Sequence, residues 1–295
     1  MNALQLLFNA ITVIFIAATM FAAGLGTTLP ALRAVFTDLP LLLLTVLANL
    51  VVVPLLGWGI AALFGLPAAG FIALVLVASS PGGPFGAKLS MVQKGDVAAG
   101  TAMQVLLAAV ASLTFGPMSS GILITAEVGA GISFDVAALV RTMAILQLVP
   151  FAIGLMVRHY ARSTALSWHP AAATVSNVTF MMVLTGMLLG SWRDVVILLG
   201  SRTLLAGFVL SVVAFAVGTL LATGPRTRRT TMGGIAAVRN VGPPLAAIGI
   251  AFGDEQAVLG ALAAVLISGL AAALPIAAVL GHNRDDGTAQ DDGAT

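Results

Sequence analysis

The feature that most constrains this chain is a succession of apolar runs, each roughly as long as a bilayer is thick, separated by short stretches of charge, Pro or Gly. Such a run satisfies its backbone hydrogen bonds as an α-helix while its side chains face hydrocarbon. Spans are expected near Leu4–Leu29, Leu39–Phe64, Ala68–Gln93, Val97–Ser119, Val136–Val157, Pro170–Leu189, Arg202–Thr223, Thr230–Gly249 and Gln256–Leu280. The chain therefore reads as an all-α membrane protein of about nine transmembrane helices. Charge agrees: 8% of the 295 residues are Asp, Glu, Lys or Arg, where a soluble domain has roughly 25%.

Residues 1–280 read as one membrane domain, with the lipid bilayer as its first partner. Met1–Gly26 lacks a basic leader and its apolar run is too long for a signal peptide, so it is expected to be the first span. Residues 281–295 carry Asp285, Asp286, Asp291 and Asp292 among small and polar residues and read as a disordered acidic tail. No basic tract points to nucleic acid, and no Cys is present to make disulfides or hold metal. His159, His169 and His282 are expected in loops, without metal-ligand spacing, so neither a metal site nor a cofactor is expected.

An external N-terminus puts Arg33, Lys94, Arg158, Arg162, Arg226, Arg228, Arg229 and Arg284 on the cytoplasmic side and leaves mainly Arg193 outside. The expected protein is thus a multi-pass inner-membrane protein with a cytoplasmic C-terminus. Trp58, Trp168 and Trp192 fall near span ends, where they anchor the interface.

Two spans are interrupted, one through Ser79, Ser80, Pro81, Gly82, Gly83 and Pro84, the other through Arg239, Asn240, Val241, Gly242, Pro243 and Pro244. Pro removes a backbone donor and Gly relaxes the dihedral limits, so both helices are expected to unwind there. Backbone freed in hydrocarbon persists only where protein or a water-filled cavity satisfies it. Paired broken spans point to a midplane transport site at the interface of an inverted repeat, here about residues 1–120 and about 136–280. Lone prolines at Pro54, Pro150 and Pro275 read as simple kinks.

At these motifs the chain resembles the bile acid:sodium symporter family (BASS/SBF). The likeness includes Met20-Phe21-Ala22-Ala23-Gly24-Leu25, Ala48-Asn49-Leu50 with Pro54, Pro81-Gly82-Gly83, Lys94-Gly95-Asp96-Val97-Ala98 and Arg239-Asn240-Val241-Gly242, and covers nearly the whole chain. It implies a panel domain, a core domain with two crossing discontinuous helices, and secondary transport along the groove between them. The family's sodium ligands do not carry over. Gly86-Ala87, Gly100, Gln104, Ile235 and Arg239 stand where the family places oxygen-bearing side chains, and Asn49 alone keeps an amide. The usual sodium pair is therefore not expected.

Cations stand near the breaks instead. Lys88 lies six residues from Lys94, roughly 9 Å along a helix, and its stem can reach the interface. Arg239 sits deep in its span, where a charge costs about 2.5–3.5 kcal/mol. Either it donates to carbonyls freed by the break, or it attracts an anion together with Lys88 and the amides that open the second half-helices. Ser79, Ser80, Asn49, Gln104 and Asn240 would supply neutral contacts. The expected function is alternating-access transport of a small organic anion. A sodium-coupled symporter with altered ligands, a channel and a sensor remain as alternatives. An intramembrane enzyme would need a buried nucleophile with its base, paired acids or a metal, and none is in the sequence.

Overall fold

A computed structural model describes residues 3–83, 85–128, 135–190, 192–193, 200–252 and 255–292. Helices follow the apolar runs closely: α1 (Ala3–Gly26), α2 (Leu29–Thr37), α3 (Leu39–Leu63), α4 (Ala68–Ala78), α5 (Phe85–Val92), α6 (Val97–Thr125), α7 (Val136–Tyr160) and α8 (Arg162–Gly190). They continue as α9 (Arg202–Leu221), α10 (Arg226–Ala237), α11 (Gly242–Ala251) and α12 (Gln256–Asp292), with no strand among the described residues. Eight stretches are long and apolar enough to cross a membrane, one being Arg226–Ala251, which includes its own break. Side chains in sequence cap the starts. Asp38, Asp96 and Asp135 accept from Leu41, Ala99 and Ala138 amides at 3.3, 3.1 and 2.8 Å.

The two breaks fall where Pro and Gly foretold them, and they touch. The Asn240 amide donates to the Ser80 carbonyl at 2.8 Å. A methyl on Gly83 would stand 2.4 Å from the Arg239 carbonyl, so only a glycine lets the two breaks cross this closely. Gly82 adopts φ +81°, and a side chain there would also strike the Ala108 amide at 2.5 Å. Pro84 lies outside the described residues.

Around this crossing, α1 packs along α7 and α8, while α9 packs on α10 and α12. Small residues permit the first contact: Cβ atoms on Gly24 and Gly154 would each sit 2.4 Å from a carbonyl of the other helix. Thr19 and Ser176 hydroxyls meet at 2.6 Å between α1 and α8. One face of the molecule gathers the loops expected in the cytoplasm. There Arg228 donates to Asp96 at 3.0 Å and Asp38 at 3.2 Å, and Gly281 abuts the Val92 carbonyl.

Three expectations need correction. Pro54 and Pro150 do not mark simple kinks: each follows a π-helical turn, Ala48–Val52 and Ala144–Leu148, that widens the ladder where the missing N–H leaves a carbonyl free. The three His lie in helices, because α7 and α8 extend toward a one-residue corner at Ala161 and α12 runs past Leu280. The start of α8 likewise takes in Trp168 and Pro170. The backbone of α12 runs to Asp292, and residues 293–295 lie outside the described part.

Candidate functional site

At the end of α4 the Val75 and Val77 carbonyls accept from the Ser79 and Ser80 amides, the Ala78 carbonyl has no helical partner, and α3 passes beside them. Into this space the break after α10 delivers Arg239, which is 6% exposed. Its Nη1 donates to Asn49 Oδ1 at 2.8 Å and to the Ala236 carbonyl at 3.4 Å. Nη2 donates to the Asn49 carbonyl at 3.0 Å and to the Ala78 carbonyl, and Nε to the Val77 carbonyl at 3.4 Å. A guanidinium has five N–H groups, and all five are engaged. The negative ends of two half-helices, α4 and α10, converge on one fixed cation. Asn49 is held in turn by its own Nδ2, which donates to the Thr45 carbonyl at 3.0 Å.

The adjacent Asn240 bridges outward. Its Nδ2 donates to Gln147 Oε1 at 3.0 Å on the π-helical turn of α7, and its Oδ1 accepts from the Gly242 amide at 3.0 Å. The Gly86 amide likewise donates to the Gly83 carbonyl at 3.0 Å, so both second half-helices have a leading amide met within the protein. Ser79 and Ser80 hydroxyls are buried at the first break without a partner among the described residues.

Lys88 stands apart from this cluster. It lies on an exposed part of α5, with Nζ donating to Asn177 Oδ1 of α8 at 2.7 Å and 4.7 Å from the centre of the Phe85 ring. Both residues line a groove of about 640 Å³ between α1 and α8 on one side and α5 and α6 on the other. Gln104, Thr19, Ser176 and His169 also line it, and Lys88 is the one permanently charged side chain among the lining residues. Arg239 borders a separate cavity of about 40 Å³ with Phe85, Phe180, Leu210 and Val265.

The candidate residues thus divide. Arg239, Asn49, Asn240, Ser79 and Ser80 gather at the crossing with Pro81, Gly82, Gly83 and Gly242, Lys88 belongs to the groove, and Gln104 lines the groove while its carbonyl lies beside Gly82. Pro243 and Pro244 open α11, where missing N–H groups leave nothing unpaired. Gln147 and Asn177 escaped the sequence reading. Gln147 carried a signal, an amide in an apolar span shortly before Pro150, much as Asn49 precedes Pro54.

Do these residues fit the sodium ions that the resemblance implies? Five oxygen atoms at the crossing already surround the Arg239 guanidinium, the Ser79 and Ser80 hydroxyls not among them, and no carboxylate is buried among the described residues. The arrangement does not fit a sodium ion at Arg239.

The profile of the Sodium Bile acid symporter family matches residues 13–197. The chain belongs to this family. By its description the family is one of symporters, not enzymes. Among relatives, the probable sodium/metabolite cotransporter BASS3, chloroplastic, of Oryza sativa subsp. japonica is 26% identical over 78% of this chain and 51% of its own length. The Arabidopsis thaliana protein of the same name is 31% identical over 49% of this chain and 31% of its own. The P3 protein of Homo sapiens is 26% identical over 94% of this chain and 58% of its own. The chain thus spans about half the length of the relatives it matches.

Proposed function

We propose that this member of the symporter family is a secondary transporter of a small organic anion. In this reading the anion moves by alternating access through the groove between a panel of α1, α7 and α8 and a core of the remaining helices. Nine crossings include α4 and α5 as one interrupted span, within a single inner-membrane domain with an external N-terminus and a cytoplasmic C-terminus. The convergence of Lys94, Arg158, Arg162, Arg226, Arg228 and Arg229 near one face supports that orientation.

The observation that carries the anion reading is the charge of the groove: Lys88 faces the amide of Asn177, and no described carboxylate lines the wall to neutralise it. A bound anion supplies the missing charge. Of the two expected readings of Arg239, this is the one in which it donates to carbonyls freed by the break, and Lys88 meets the anion. Arg239 has no N–H left for a substrate and serves as a tethered cation that holds the crossing together in place of a sodium ion. Transport then needs no sodium. Uptake of carboxylates and sulfonates into proteoliposomes, with Lys88→Gln as the control, tests the reading.

A second reading, a sodium-coupled symporter with altered ligands, draws on the relatives named sodium/metabolite cotransporters and on the unpartnered Ser79 and Ser80 hydroxyls. Comparing sodium with potassium separates the two.

A further inference from the structure

We infer that a second anion-binding site, distinct from the groove, lies where α1 gives way to α2, and that it takes a phosphate group, from an anionic phospholipid or from free phosphate. A recess of about 300 Å³ is lined on one side by Thr28, Leu29 and Pro30 and on the other by Arg158, His159 and Arg162 at the α7–α8 corner. It shares Thr28 alone with the groove. Arg158 closes α7 and Arg162 opens α8, so the corner at Ala161 brings two guanidinium groups to one recess. Neither donates to a described residue, and no described carboxylate lines the recess. The positive end of the α2 dipole adds to the same charge.

The surroundings place this recess at headgroup depth. Tyr160 at this corner is 82% exposed, an amphipathic ring that settles at a membrane interface. Just inside, Ile153 and Met156 on α7 are exposed and apolar, as acyl chains require. A basic recess between spans at this level is suited to a lipid phosphate. It also joins α2, which packs on α6, to α7 and α8, which pack on α1, so an occupant holds both sides of the groove.

The test titrates the purified full chain in neutral detergent with short-chain phosphatidylglycerol, phosphatidylcholine or inorganic phosphate, following melting temperature and retained lipid by native mass spectrometry. Phosphatidylglycerol is expected to stabilise the protein saturably and phosphatidylcholine not. Arg158→Gln with Arg162→Gln weakens the phosphatidylglycerol response roughly tenfold or more, while Arg226→Gln, on the same face but outside the recess, leaves it unchanged. If millimolar inorganic phosphate reproduces the effect and competes, the source is free phosphate; if it does neither, the source is lipid. Arg162→Gln alone, at an exposed position, keeps the test informative should the double variant not fold. Equal stabilisation of the wild type and the arginine variants, or an equal response to phosphatidylcholine, overturns the inference.

Discussion

Nη1 of Arg239 donates to Oδ1 of Asn49 at 2.8 Å, which ties the break between α10 and α11 to the π-helical turn of α3. The carbonyl of the same Asn49 accepts from Nη2 at 3.0 Å, so one residue meets both ends of the guanidinium fork. Asn49 and Arg239 thus act as one structural unit. Arg239→Gln leaves several buried acceptors unpaired and is expected to lower stability by about 3 kcal/mol or more. Arg239→Lys keeps the charge without the fork and should fall between. Unfolding in rising denaturant measures both, and a glutamine variant as stable as the wild type contradicts the account.

The crossing also depends on a missing side chain. Gly83→Ala places a methyl 2.4 Å from the Arg239 carbonyl, where only backbone can give way. The expected loss is about 1–3 kcal/mol, or failure to insert as a folded protein. Gly121→Ala, which meets nothing within 4 Å, is the control and should melt as the wild type does.

For transport the sensitive cation is Lys88. A charge-assisted contact contributes about 1.5–3 kcal/mol, so Lys88→Gln is expected to weaken anion binding by roughly ten- to a hundredfold at unchanged stability. Asn177→Ala should have a smaller effect, since it removes a neutral partner. A melting screen of carboxylates and sulfonates finds the ligand, and titration of each variant gives the ratio. Equal affinity for wild type and Lys88→Gln would remove the anion reading.

How much of this was legible in the sequence follows from the physics of each feature. Long apolar runs and Gly-Pro clusters act locally, so helix positions and both breaks could be read from the residues themselves. The oxygen cage around Arg239 could not, because most of it is backbone: Val77 and Ala78 from α4, Ala236 from α10 and Asn49 from α3 present the same carbonyl that any residue would. The same limit separated Lys88 from Arg239. Both flank breaks in sequence, but α5 turns Lys88 toward Asn177 of α8, a partner 89 positions away. The π-helical turns at Asn49 and Gln147 were read as kinks because Pro signals a lost hydrogen bond without saying how the ladder absorbs it.

The proposed topology has its own check. Reporters fused after Met1 and after Thr295 should be active on opposite sides of the membrane, the first outside and the second in the cytoplasm. Activity of both on one side would exclude an odd number of crossings.

The proposal that Arg239 stands in place of a sodium ion is open to a direct test. The most direct measurement is the melting temperature of the purified wild type and of Arg239→Gln in sodium chloride and in potassium chloride at equal ionic strength. The wild-type curves should superimpose, whereas the variant, its oxygen cage vacated, should melt higher in sodium in a saturable manner. A saturable, sodium-specific rise in the wild type itself would contradict the claim.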